Sequence, residues 1–400
     1  MRIGLISQEY PPETGHGGIG TQTFAKAHGL ASFGHEVFVV SHSLDERTTQ
    51  YMDGLVHVTR VPGFDSRLPL YTEAARWLTY SAQIASAVWQ RHLTSGLDIV
   101  EFPDWGGEGY IHLLNRTEWN YLPTVVHVHG PVVMLAHTIG WPDLNSDFYR
   151  TAFQMEAVSL RLANRVYSSS KCSADWCARG YGLDASRIPI IHAGVDTNRF
   201  RPGLAPKERD LTIVFVGKIA RNKGVEELVE AACSLREEFP DLRLRLFGSG
   251  DEVYVNQLRE IAIRCGTAGV LDIRGFIDPG NLPGQLSRAH VFAAPSHYEG
   301  GPGFVYLEAM ACGLPVIACS GSGASEIIRD GHTGFLVPPG DTSALSNSLR
   351  RLLADPIERS EMGNRARDFV TAEADSNVCL RRIEAFYAET LAGSGQARTS

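Results

Sequence analysis

Paired cysteine motifs, long apolar runs and basic charge are all missing from this chain, and each absence closes off a class of function. The seven cysteines, Cys172, Cys177, Cys233, Cys265, Cys312, Cys319 and Cys379, are odd in number and never form a C-x-x-C pair. That spacing argues against a disulfide framework or a zinc site and for reduced, mostly buried thiols. No run of 18 apolar residues occurs, so no transmembrane helix is expected, and no secretory h-region follows Met1. The expected location is cytoplasmic. The formal charge of −8 divides evenly: residues 1–200 hold 15 Lys+Arg against 19 Asp+Glu, and the remainder holds 22 against 26. With neither half basic, nucleic acid is not the expected partner, and docking on an anionic membrane is not indicated. There is also no Walker P-loop sequence, no repeat of short period, no low-complexity segment and no Asp-x-Asp pair at an expected strand end. The last of these leaves no sign of a metal holding a diphosphate. Nothing in the sequence indicates an oligomeric state.

What is present describes an ordinary α/β protein: 400 residues, 40 glycines and 44% hydrophobic residues. That length exceeds one compact core and suits two domains of about 200 residues. Strand-like runs alternate with helix-length amphipathic runs, the signature of parallel sheets with crossover helices. The expected strands are 3–7, 37–41, 56–61, 99–102, 125–129, 166–169 and 188–192, then 212–216, 242–247, 270–274, 291–294, 316–319 and 334–337. Helices alone follow, near 343–353, 357–371 and 374–391. The polar break around Asp196 to Arg209 divides two doubly wound domains, 1–200 and 201–375, with 376–400 as a final helix and frayed tail.

One segment carries most of the chemistry. Val291 to Ala294 reads as a buried strand, Gly300-Gly301-Pro302-Gly303 as a tight loop, and Phe304 to Cys312 as a helix stopped by Gly313. A helix starting after such a loop offers unpaired backbone N–H groups and the positive end of its dipole, and glycines let a bulky anion approach the backbone. Glu308, expected in the first helical turn, can accept from two vicinal hydroxyls such as those of a ribose, and Glu299 flanks the loop's other side. Phosphate, ribose and a second polyol together suggest a nucleotide sugar. Taken alone, the same residues are equally two solvated acids beside a tight turn. Gly15-His16-Gly17-Gly18-Ile19-Gly20 formally matches the dinucleotide pattern G-x-G-x-x-G, but the glycines follow the first strand by about seven residues and Val40-Ser41-His42 supplies no acid for a ribose.

With these motifs on the page, the chain resembles the family-4 retaining glycosyltransferases, enzymes of the GT-B fold. The resemblance spans nearly the whole length: Tyr10-Pro11-Pro12, Gly17-Gly18-Ile19-Gly20 and Gly34-His35-Glu36-Val37 near the start, Gly194-Val195-Asp196 with Phe200 and Pro202 between the domains, Phe215-Val216-Gly217-Lys218 through Lys223-Gly224, and the segment from Glu299 to Glu308. Two departures stand out. The two glutamates lie nine positions apart instead of the family's eight, so the usual first position falls on Gly300; and Lys218 stands where an arginine is usual, exchanging a bidentate fork for a point charge.

The resemblance implies two facing Rossmann-like domains and a C-terminal helix that crosses back to the first. It implies transfer of a hexose from an α-linked nucleotide sugar to a hydroxyl acceptor with retained configuration and no metal or other cofactor; UDP-glucose is the first donor expected and GDP-mannose the second. Gly17, Gly18 and Gly20 would bring amides to the diphosphate from the first domain. Lys218 and Lys223 would neutralise the leaving phosphate, with Arg221 able to reach in beside them, and His129 would meet the donor sugar. Gly248, Gly250, Gly275, Phe276 and Ile277 would hold the base and ribose with Glu308, while Gly300, Gly301, Gly303, Phe304 and Val305 form the loop and helix start. Asp104 and Trp105 would face the acceptor. A nucleotide-sugar epimerase, a phosphorylase, or a catalytically silent sugar-nucleotide-binding protein remain open on the same fold.

Overall fold

The computed structural model describes residues 1–14, 18–45, 47–63 and 72–396. Two compact units result: Met1–His192 with Cys379–Ser400, and Ala193–Val378. The first holds strands β1 (Arg2–Ile6), β2 (Glu36–Ser43), β3 (Thr49–Asp53), β4 (Val56–Pro62), β5 (Ile99–Pro103), β6 (Thr124–Val128) and β7 (Arg165–Ser168). The second holds β8 (Thr212–Val216), β9 (Arg243–Phe247), β10 (Leu271–Gly275), β11 (Val291–Ala294), β12 (Val316–Cys319) and β13 (Gly334–Val337).

Strand order is β3-β4-β2-β1-β5-β6-β7 in one sheet and β10-β9-β8-β11-β12-β13 in the other. All pairings are parallel except β3 with β4, which run antiparallel across the Gly54 turn. Both sheets reverse their winding direction at one point, between β1 and β5 in the first and between β8 and β11 in the second. Open α/β sheets take ligands outside the carboxyl ends of the strands at such reversals. The fold therefore directs attention to residues after Ile6, Pro103, Val216 and Ala294.

Period-two alternation decides which face of the first sheet each side chain serves. Ile3, Leu5, Val37 and Val39 point to the face covered by the helix Gly18–Ser32 and by Leu380, Ile383, Phe386 and Tyr387 of the helix Ser376–Gln396. Ile6, Phe38, Val40 and Phe102 point to the opposite face, against Tyr80, Ile84 and Val88 of the helix Glu73–Ser95. The C-terminal helix is thus a structural layer of the first unit. Gly29 lets the two helices approach: a Cβ at that position would lie 2.2 Å from Leu380 Cδ1, so the leucine side chain would have to shift.

Three sequence expectations need correction. Residues 188–192 form no strand: Pro189 cannot donate to a ladder, and only a single bridge joins Ile190 to Ser168. The edge strand β3 escapes detection because its side chains are almost all exposed and show no alternation. The boundary expected at 200 falls at 193 instead. Val195 N–H donates to Ala374 O and Ser376 N–H to Val195 O, both at 2.9 Å, and Thr197 Oγ1 donates to Asp375 Oδ2 at 2.6 Å. Val195 and Phe200 lie in the second core, so the segment 193–200 folds with the second unit.

Candidate active site

In the second unit, the chain leaving β8 and the chain leaving β11 are locked together by backbone. The turn Arg221–Lys223 ends at Gly224, whose φ is 65°. A Cβ there would stand 2.0 Å from Pro295 O, so the turn presses directly onto the end of β11. His297 N–H donates to Asn222 O at 3.0 Å, completing the seam. The consequence is chemical: Lys223 Nζ donates to Glu299 Oε1 at 2.6 Å, with both side chains largely buried. The Glu299 carbonyl accepts from Gly323 N–H at 2.7 Å, which fixes the loop's position despite its extra residue. Gly301 is packed so closely that a Cβ on Gly323 would sit 2.5 Å from its carbonyl carbon. Gly300, Gly301 and Gly303 thus run between an ammonium and a helix start.

Gly303, at φ 67°, opens the helix Phe304–Ala311, and no side chain caps its first turn around Phe304 and Val305. Glu308 is the fifth residue of this helix and so belongs to its second turn, one turn further in than expected. Its carboxylate is partly buried and has no hydrogen-bond partner among the described residues. Burial pushes the group up to about 7, with the Arg199 guanidinium pulling the other way. An acid that has no hydrogen-bond partner among the described residues, is partly desolvated and follows an uncapped helix start suits a pair of donor hydroxyls. Hydroxyls that donate to it bind the ionised form. Nucleoside diphosphate affinity is therefore expected to rise about tenfold from pH 6 to pH 8, as a site titrating near 7 requires. Glu308→Gln should lose that increment while keeping any pH effect of the phosphate itself, and titration calorimetry on both proteins checks it. Identical pH profiles would remove Glu308 from the ribose.

The other expected residues fall into two groups. Lys218, after β8, is exposed and carries no hydrogen bond or ion pair among the described residues, which leaves it available to an anion. Arg221 is largely exposed: its guanidinium bonds Glu226 Oε2 at 3.0 Å and Gln257 Oε1 at 2.6 Å and lies over the Tyr254 ring. Gly248 has φ 143°, and a Cβ there would meet Gly217 O at 1.8 Å; a Cβ on Gly250 would meet Ile219 O at 2.5 Å. Both glycines are needed for the β8 and β9 loops to touch at all. Gly275 gives its carbonyl to Gly248 N–H at 2.8 Å, Ile277 packs on the core, and Phe276 is 75% exposed.

In the first unit, His129 follows β6, and its ring centroid lies 3.8 Å from that of His127, as alternation implies. Asp104 is fully buried. It accepts from His129 N–H at 2.9 Å and Gly130 N–H at 3.2 Å. This corrects its expected role: it braces the chain under His129 and does not present its carboxylate to an acceptor. Burial raises it to about 7 against the pull of those amides. Glu156, also fully buried, does the same for Gly106 and Val132, accepting their N–H groups at 2.8 and 2.9 Å. Its carboxyl is pushed well up by burial and then by Asp104. Trp105 stacks on Trp141 at 5.6 Å and keeps part of its surface open. Gly18 and Gly20 lie inside the helix Gly18–Ser32, and Gly20 N–H already donates to Glu9 Oε2 at 3.1 Å. Gly17 lies outside the described residues.

Sequence reasoning missed the second bracing carboxylate, Glu156, and a buried ion pair between Lys26 and Glu101. The signal existed: Glu101 interrupts Ile99-Val100-Glu101-Phe102, a run otherwise suited to a strand buried on both faces, and Lys26 sits on the apolar side of its helix.

Two doubly wound sheets, with a lysine, a glycine loop and an open helix start at the reversal point of one of them, match the two Rossmann-like domains of the GT-B fold. Comparison with known proteins agrees. The model of glycosyl transferases group 1 matches residues 196–369, and that of glycosyltransferase family 4 matches residues 16–199. Glycogen synthase of Mycobacterium tuberculosis is 29% identical, covering 94% of this chain and 91% of its own. A GDP-mannose-dependent alpha-(1-6)-phosphatidylinositol monomannoside mannosyltransferase of Mycolicibacterium smegmatis is 32% identical, over 68% of this chain and 71% of its own. Among solved structures, sucrose-phosphate synthase from Thermosynechococcus elongatus superposes with a TM-score of 0.81 at 23% identity, covering 98% and 99% of the two chains. The chain belongs to the group 1, family 4 glycosyltransferases. Among the described residues, no helix is long and apolar enough to cross a membrane.

Proposed function

We propose that this protein is a hexosyltransferase that moves glucose from UDP-glucose to a hydroxyl of a saccharide or small-molecule acceptor, retaining the donor's α configuration. The observation that carries the reading is the Lys223–Glu299 pair beside Gly300 to Gly303 and the uncapped helix behind them. Cleaving the bond from the anomeric carbon to the diphosphate leaves added negative charge on the departing phosphate. Lys223, Lys218 and the helix amides stabilise that charge most where it is largest, in the transition state. The departing phosphate then takes the acceptor proton as the new glycosidic bond forms on the same face. Glu299, tied to Lys223, binds sugar hydroxyls and does not attack, so mass spectrometry of the working enzyme should find no hexose on Glu299. Exclusion of water favours transfer over hydrolysis.

Glucose is favoured because the relative matched over 94% of the chain is a glycogen synthase. GDP-mannose is the second reading, carried by the name of the 32% identical mannosyltransferase. A thermal-shift screen with UDP and GDP, followed by assay of each nucleotide sugar with hydroxyl acceptors, separates them. A nucleotide at 100 times its dissociation constant stabilises the fold by about 2.7 kcal/mol. Release of UDP that depends on acceptor supports the proposal. Interconversion of the sugar would indicate an epimerase, and binding without turnover a silent binding protein. Because lysines and amides supply the positive field, turnover should be unchanged in excess EDTA. Loss on chelation, restored by manganese or magnesium, would contradict that part of the proposal.

A further inference from the structure

Beneath His129 lies a buried polar chain that ends on the C-terminal helix. Lys26 is 4% exposed, and its Nζ donates to Glu101, to His127 Nδ1 at 3.0 Å and to Tyr167 Oη at 2.8 Å. Glu101 Oε2 in turn accepts from Tyr167 at 2.8 Å and from Tyr387 at 2.5 Å. Tyr387 belongs to the helix Ser376–Gln396 and is fully buried. All three ammonium donors of Lys26 are therefore used.

This arrangement leaves His127 one role. A ring nitrogen that accepts from an ammonium carries no proton, so Nδ1 is bare and the proton sits on Nε2, which donates to Ser169 Oγ at 2.8 Å. Gln22 Nε2 donates to the same hydroxyl at 3.1 Å. The ring is also held flat on Tyr167, with centroids 4.2 Å apart and planes 11° apart. His127 is thus fixed in position and tautomer, and its face meets the His129 ring at 3.8 Å. Burial, and after it Lys26, keeps His127 down at about 4, so it remains neutral. On the far side Asp104 holds the His129 amide. The imidazole that the family resemblance sets against the donor sugar is seated between two built supports.

We infer that Tyr387 is a positioning residue for the transfer reaction: through Glu101, Lys26 and His127, the C-terminal helix fixes the orientation of the His129 ring. The inference rests on the role at the donor sugar that the family resemblance implies for His129 within the proposed transfer reaction. A buried carboxylate that loses a donor must find another, and the partners within reach are the ones that seat His127.

The test compares three variants of the full chain. Tyr387→Phe should lower kcat about tenfold with the donor KM unchanged and should shift the His129 ring signals in a ¹⁵N-¹H spectrum of the folded protein. Thr390→Ala is the control: its hydroxyl donates only to Phe386 O within the same helix, at 2.7 Å, so it perturbs the helix without touching the chain. It should leave both readouts unchanged. His129→Ala should be nearly inactive. Unmoved His129 signals in Tyr387→Phe, with His129→Ala inactive, would overturn the inference alone. Equal losses of kcat in Tyr387→Phe and Thr390→Ala would overturn it too, as mere loosening of the helix. Full turnover in His129→Ala would remove the reading beneath it and the inference with it.

Discussion

Lys223→Ala should lower kcat by about 10²- to 10³-fold, the cost of removing one preorganised group that stabilises developing negative charge. Lys223 reaches Glu299 across the loop at 2.6 Å, and the seam between Asn222 and His297 holds it there. The ion pair itself is partly open to water and contributes less than about 1 kcal/mol to folding. The unfolding midpoint should therefore barely move while turnover collapses. Steady-state kinetics and a thermal melt on the same preparation separate the two effects. Near-full turnover would mean that the phosphate is neutralised elsewhere. Lys218→Arg, on an exposed side chain with no competing partner among the described residues, should retain activity or improve it through a bidentate contact.

Gly224→Ala should be among the most destabilising single changes in the second unit, on the order of 3 to 5 kcal/mol. Two penalties combine. The backbone sits at φ 65°, where an L side chain is strained, and the new Cβ would overlap Pro295 O at 2.0 Å, which is backbone and cannot rotate away. Gly266→Ala isolates the first penalty, since its φ is 66° with nothing within 4 Å. That control should cost only about 1 to 2 kcal/mol. A denaturant melt of both variants gives the difference, and equal midpoints would show that the turn does not press on β11. A surviving Gly224→Ala fraction should also show weakened phosphate binding, because the clash lifts Lys223 away from Glu299.

Much of the site was legible because its chemistry is local. The run from Val291 to Gly313 places strand, loop and helix within about twenty residues, and β11, β12 and β13 fall where the short apolar runs place them. Lys223 was legible as a cation after β8, but its pairing with Glu299 depends on contacts 76 residues apart. Asp104 shows the limit more sharply. A carboxylate after a strand, at the reversal of a sheet, reads as a ligand-facing group, yet here it spends both oxygens on the amides of His129 and Gly130. The partners of Arg221 were illegible for a similar reason: only the fold brings Glu226, Gln257 and the Tyr254 ring to it. Gly248 and Gly250 were singled out for ligand approach, whereas the close contacts that require them are with Gly217 and Ile219. The edge strand β3 and the domain join at 193 depend on pairing partners that no local pattern reveals.

The central claim is transfer of a hexose with its configuration kept, and the anomeric proton of the product tests it most directly. With UDP-glucose and a hydroxyl acceptor, proton NMR should show an α-linked glucoside appearing as UDP is released, and the signal should be lost in Lys223→Ala. A β-linked product, or conversion of the donor to another nucleotide sugar with no glycoside formed, would contradict the account.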